Sequence, residues 1–224
     1  MTPEPSVMKL RRSSLSGDAY ATVKELLVAG KRYAPGARIS VEELSRELGV
    51  SRTPIWGAIN RLEAEGIVEI VPRQGVYLLD FEPGRAIDVY LAREALEGVA
   101  ARLAARKATA EQLGHLREAL ARQSAGLATS HVDEYTAAAL AFHRGIAEAA
   151  GSRTIAQLLD SVYGRMQAMR VQLKYFPTKL PESFNDHDRI LQALEARDAE
   201  AAERLARSHI ETLRRELERS RSTP

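Results

Sequence analysis

The 224-residue chain contains no cysteine, which excludes a disulfide scaffold, thiolate metal sites and a cysteine nucleophile. Aromatic residues are scarce, at 5% with a single tryptophan, so any core must be built mainly from aliphatic side chains. No uninterrupted apolar run approaches the roughly 18–20 residues of a membrane span. The first residues, MTPEPSVMKLRRSS, lack an apolar segment behind their charges and do not read as a secretory signal. Neither charge sign dominates: 32 Lys and Arg stand against 30 Asp and Glu, and no basic block advertises nucleic acid. What is present is 45% hydrophobic residues, ample for a packed core and too many for a disordered chain. The expectation is a soluble, cytoplasmic protein of one or two domains.

The pattern changes near residue 80. Before it lie short helical segments, turn signals and a small β element, behind an arm over 1–15 with no packing pattern. Ser16-Gly17-Asp18 precedes the apolar series Tyr20, Val23, Leu26, Leu27, closed by Gly30. Pro35-Gly36 forms a turn, and Ser40-Val41-Glu42-Glu43 is an S-x-x-E capping box opening a helix through Leu44 and Leu48. Ser51 caps a further helix over 52–65, with Pro54 in its first turn, where no intrahelical N–H bond is lost. Two apolar runs, 67–71 and 76–79, flank Pro72-Arg73-Gln74-Gly75 and predict a hairpin. Helix, helix, turn, helix, hairpin is the order of a winged helix-turn-helix over 16–80.

On the third helix Ile55, Ala58, Ile59 and Leu62 share one face by i, i+3, i+4, i+7 spacing. Arg52, Thr53, Trp56, Gly57 and Asn60 fall opposite: donors, a planar aromatic and a small residue near the helix N-terminus, where a recognition helix meets base edges and phosphates. Pro35-Gly36, the string Leu44-Ser45-Arg46-Glu47-Leu48-Gly49-Val50-Ser51-Arg52-Thr53-Pro54 and the segment from Arg61 to Val68 resemble the DNA-binding domain of the GntR family of bacterial regulators. The resemblance implies that Arg52 and Thr53 contact double-stranded DNA and that the wing tip, Arg73-Gln74-Gly75, enters the minor groove. Members usually carry Arg-Glu where this chain has Trp56-Gly57, which removes a guanidinium able to pair with guanine. Trp56 then either meets a thymine methyl or a sugar, or packs on its own domain.

The second part, 84–220, reads as an antiparallel bundle of six helices over 85–107, 110–127, 133–150, 153–176, 182–196 and 199–219. Three histidines fall in apolar stripes: His143 with Leu140, Ile146 and Ala147; His187 with Phe184, Ile190, Leu191 and Leu194; His209 with Leu205, Leu213 and Leu217. Three buried imidazoles need partners. One divalent cation satisfies all three, and a three-histidine set suits zinc or nickel. Asp186 and Asp188 flank His187 but fall elsewhere on its helix.

Arg93-Glu94-Ala95-Leu96-Glu97, Phe142-His143, the run from Asn185 to Leu191 and that from Asp198 to His209 resemble the FCD ligand-binding domain of FadR-type GntR regulators, with six helices as in the VanR branch. Metal-binding members use an Asp one turn before the first His plus three His. Here that position is Ala139, so the cation would keep its full charge and more open positions for water or an anionic effector. Arg93, in the stripe Val89, Leu96, Ala100, Leu103, faces the interior and needs a carboxylate. Glu97 at i+4 supplies one as an intrahelical pair, and a small carboxylate effector is the alternative. Arg165, beside Val162 and Met169, is the second effector candidate.

The function expected is a homodimeric repressor on a palindromic operator, released or recruited by a small organic acid bound near a metal. Two other classes stay open: a metal-dependent hydrolase at the three-histidine site, and a DNA-binding protein with a sealed, ligand-free core.

Overall fold

The computed structural model describes residues 12–28, 33–80, 83–172 and 178–222. The chain divides into two units, 1–80 and 81–224. Among the described residues no helix is long and apolar enough to cross a membrane.

The first unit runs α1 (Arg12–Val28), β1 (Arg38–Ile39), α2 (Val41–Glu47), α3 (Arg52–Ala64), β2 (Val68–Val71) and β3 (Gly75–Leu78). It is the winged helix-turn-helix that the spacing predicts, with two differences. Helix α1 begins at Arg12, inside the stretch expected to be an arm; its expected stop at Gly30 lies outside the described residues. A third strand, β1, pairs antiparallel with β3, Ile39 opposite Val76, giving the order β1-β3-β2. Two residues carry no alternation, so nothing in the local pattern announces that strand.

Ser40 Oγ accepts from the Glu43 N–H at 3.2 Å, as the capping signature requires. Ser51 occupies the N-cap position of α3 without a side-chain cap bond. The face Ile55, Ala58, Ile59, Leu62 is buried against Val23, Leu27 and Leu44. At the far end of α3, Lys24 pairs with Glu65 at 2.7 Å and the Arg61 guanidinium lies 3.7 Å from the Tyr20 ring centroid. These contacts set the angle between α1 and α3. In the wing turn Arg73 takes φ 64°, a left-handed conformation unusual for a residue with a Cβ, and Gly75 takes φ 133°.

The second unit contains α4 (Pro83–Lys107), α5 (Ala110–Ala128), α6 (Val132–Ala149), α7 (Arg153–Gln172), α8 (Leu180–Glu195) and α9 (Ala199–Ser222). All six predicted helices are present with ends shifted by a few residues; the predicted end of the fourth, at Phe176 and Pro177, lies outside the described residues. Alanines at 100, 101, 104 and 105 on α4, with Ala202 and Ala206 on α9, are all buried, and their short side chains let the two helix backbones lie close. The remaining core is Leu113, Leu116, Phe142, Ile146, Leu159, Tyr163, Ile190, Leu191 and Leu194.

Gly126 on α5 shows how tightly α6 docks. A Cβ added there would lie 2.9 Å from the backbone nitrogen of Tyr135, which cannot swing aside. Gly126→Ala is therefore expected to destabilise the helical unit by about 1–3 kcal/mol, despite the higher helix propensity of Ala. Urea denaturation followed by circular dichroism checks this, and unchanged or increased stability contradicts the packing described.

Candidate nucleic-acid interface and metal centre

The two sequence-predicted surfaces lie in separate units and are described separately. On the first, Arg52, Thr53, Trp56 and Asn60 are exposed along the outer face of α3, and Arg73 and Gln74 are exposed at the wing tip beside Gly75. Trp56 is 41% exposed, so it presents its ring rather than packing into the domain. Arg52, Trp56 and Gly75 border one groove together with Arg38, Ser40 and Glu42. Two of these were not legible beforehand. Arg38 lies across the wing base, its Nε 2.8 Å from where a Gly75 Cβ would stand. Glu42 approaches Arg52 to 3.4 Å, a solvated pair that holds a guanidinium at the helix start. The groove combines donors, one guanidinium on the helix and one on the sheet, and an aromatic face, which is the chemistry a duplex edge requires.

In the second unit α6, α8 and α9 deliver His143, His187 and His209 to one point. All three are buried, and their ligand-capable nitrogens lie within 4.8 Å of one another. The rings pack with Phe142: His187 stands 4.5 Å from His209 and 5.1 Å from Phe142, centroid to centroid. His115 and His131 are exposed, as their positions off the stripes predict.

Each imidazole is held from behind at Nδ1. Gln123 on α5, fully buried, places Oε1 2.6 Å from His187 Nδ1. Asp186 Oδ2 lies 3.3 Å from His209 Nδ1. Glu97 Oε2 lies 2.8 Å from His143 Nδ1, a close ionic contact without in-line hydrogen-bond geometry. Oxygen acceptors at Nδ1 put the proton there and leave Nε2 with its lone pair. The Nε2 atoms of His187 and His209 then face each other at 3.1 Å. Two lone pairs at that distance repel unless a proton or a cation lies between them. This close contact, in a cluster of three buried imidazoles, fits a divalent ion.

The sequence reading put Asp186 off this site. It does point away from His187, but reaches the neighbouring helix and meets His209. Gln123 was missed, though the spacing 113, 116, 120, 123 on α5 places it as the one polar residue in an apolar stripe.

Arg93 is 1% exposed, and its charge is already balanced: Nε donates to Glu97 Oε1 at 2.5 Å and Nη1 lies 3.3 Å from Met166 Sδ. The intrahelical partner expected as one of two alternatives is present. Glu97 thus joins Arg93 on one oxygen to His143 on the other. Burial resists ionisation of Glu97, but Arg93 and then His143 hold its carboxyl well below the usual range. Arg165 is a correction. It lies exposed on α7, while Leu159, Tyr163, Met166 and Met169 of the same helix are buried. The cation that borders the histidine cavity from α7 is Arg170, with Ala139, Tyr135, Thr136 and Ser183 among its neighbours in the wall.

Comparison with known proteins agrees with this division. Residues 15–78 match the bacterial regulatory proteins of the gntR family, and residues 88–212 match the FCD domain. The chain is 30% identical over 217 residues to the Uxu operon transcriptional regulator of Escherichia coli K12, covering 88% of this chain and 84% of that protein. It is 25% identical to the E. coli transcriptional repressor RspR, over 80% of this chain and 79% of the other. Among solved structures, E. coli McbR/YncC shares the fold at TM-score 0.74 and 22% identity, with 92% of this chain and 98% of that one covered. The chain belongs to the GntR family of regulators with an FCD domain: it is a DNA-binding transcription regulator with an effector-binding domain. These relatives carry regulator names, and the hydrolase alternative finds no support among them.

Desolvation pushes His143 down to about 4, against the attraction of Glu97, and holds His187 well below its ordinary value. Both folded values lie below the unfolded one near 6.5, so the fold binds fewer protons than the unfolded chain and loses stability as pH falls. From pH 7 to pH 5, above most carboxylate titration, chelator-treated protein is expected to lose about 2 kcal/mol through His143 alone. Urea titrations at the two pH values check it. A flat profile means that the imidazoles are not buried as neutral bases.

Proposed function

We propose that this chain is a cytoplasmic repressor whose operator affinity is set by a small carboxylate bound beside a divalent metal, zinc or nickel, on His143, His187 and His209. The observation that carries the reading is the convergence of three buried imidazoles, their ligand-capable nitrogens within 4.8 Å of one another and a side-chain oxygen beside each Nδ1. When bound, the ion supplies a Lewis-acidic site for an anionic oxygen and ties α6, α8 and α9 together. The residues around it do the rest. Gln123, Asp186 and Glu97 fix ring orientation and proton position. Ala139, where metal-binding members place an Asp, leaves a face of the site without a protein carboxylate. Arg93 and Glu97 cancel each other's charge and form a rigid polar wall.

On the DNA side, Arg52, Thr53, Trp56 and Asn60 are assigned to the major groove and Arg73, Gln74 and Gly75 to the minor groove. A homodimer on a palindromic operator follows from specificity: a single module makes a small interface, and two half-sites multiply the discrimination. Trp56 in place of the usual Arg predicts that a thymine methyl or sugar contact replaces a guanine contact at that step.

Three measurements test the reading. Purified protein is expected to carry about one divalent ion per chain by elemental analysis, and chelation to lower its melting temperature, because an ion bound only to the folded state stabilises it. Metal-free protein that binds its effector undiminished overturns the metal. Gln123→Leu is expected to weaken metal affinity by about 10- to 100-fold, with the helical content retained. Arg52→Ala is expected to weaken operator binding by about 1–3 kcal/mol if Arg52 reads a base; if it holds a phosphate, the loss is uniform across sequences and the salt slope falls by about one. Unchanged affinity and salt dependence remove Arg52 from the interface.

A further inference from the structure

The cavity that holds the three imidazoles is bordered by further polar groups. Its wall includes His143, His187, His209 and Ala139, and also Arg170 with Thr136. Arg170 differs from Arg93 in one respect that matters. Arg93 is spoken for by Glu97, whereas Arg170 has a buried Nε with no hydrogen-bond partner and joins none of the ion pairs found among the described residues. A buried guanidinium nitrogen without an acceptor is unfavourable by more than an ordinary lost hydrogen bond. It points to an acceptor that arrives with a ligand.

Charge points the same way. The Arg93–Glu97 pair is neutral, imidazoles coordinate a cation only as neutral bases, and Ala139 brings no carboxylate. With a divalent ion in place, two positive groups border the cavity, that ion and Arg170. Of the two carboxylates at the rings, Glu97 is paired with Arg93, and Asp186 is partly solvent-exposed and engaged at His209 Nδ1. A single carboxylate matches one of these positive groups and leaves the other. Two acidic groups on one short molecule match both. The free volume of the cavity is about 30 Å³, room for little more than one or two waters, so a ligand must be short and must move Arg170 outward from its present position.

We infer that the effector is a short dicarboxylate, one carboxylate at the three histidines and the other on Arg170. This rests on the carboxylate-effector reading above and names the class within it. Guanidinium–carboxylate contacts are charge-assisted and often bidentate, so the second carboxylate contributes a measurable increment rather than a marginal one.

The test uses full-length protein loaded with zinc and titrated calorimetrically with the series malonate to adipate, each against the monocarboxylate of equal carbon number, propionate to hexanoate. The expected result is that at least one dicarboxylate binds about 10- to 100-fold more tightly than its monocarboxylate match. Arg170→Met is expected to abolish that margin while leaving monocarboxylate affinity and zinc content unchanged, and Arg170→Lys to restore part of it. Equal affinities within every pair, or a margin that survives Arg170→Met, overturn the assignment and leave the carboxylate reading standing. If no acid of either kind binds the zinc-loaded protein, the carboxylate reading fails and this inference with it.

Discussion

The helical unit is organised around the desolvation of three imidazoles. Burying a neutral imidazole removes two hydrogen-bonding nitrogens from water, and the fold replaces only half of that: an oxygen stands behind each Nδ1, while the Nε2 atoms turn toward one another. The surrounding wall mixes aliphatic residues with Arg93, Thr136, Arg170 and Ser183, none of which is hydrogen-bonded to the rings. The unit therefore carries three imidazoles gathered at one point of its interior. Because they come from α6, α8 and α9, whatever satisfies that point bears on the packing of three helices at once.

The outer partners extend this point into a network. Glu97 touches both His143 and Arg93, and Arg93 in turn reaches Met166 on α7. Asp186 belongs to α8 but serves a ring on α9. Through these contacts α4, α5, α7, α8 and α9 all have a side chain within one or two contacts of the cavity. Such a network resists partial change, since removing one member leaves a buried charge or a lone pair without its complement. Ala139, in the wall of the same cavity, adds no charge to this network.

The DNA-binding unit follows a different logic. Its groove is shallow, solvated and built on exposed side chains, so its residues are held by local geometry rather than by burial. Arg52 stands at the first residue of α3 with Glu42 beside it, and Arg38 lies over a wing strand kept open by Gly75. The left-handed turn residue Arg73 puts a charged side chain where glycine is the easier choice. A strained backbone that keeps a cation at the wing tip accords with that cation having work to do there.

Much of this was readable from the chain alone. Helix periodicity, the capping signature at Ser40, the turn at Pro72–Gly75 and the stripes through His143, His187 and His209 are local patterns, and local patterns report which face of an element turns inward. They gave the winged helix-turn-helix, the six-helix bundle and the three inward-facing histidines. What they could not report is what stands across the gap. The strand β1 exists only because β3 offers it partners. Asp186 serves a ring on another helix, and Gln123 gains its role from His187, 64 positions away. The choice of Arg170 over Arg165 turned on the rotation of α7 about its own axis, which the amphipathic pattern leaves open to within a residue and packing decides. Periodicity along one element determines direction; only the meeting of several elements determines distance, and the chemistry of a site is set by distance.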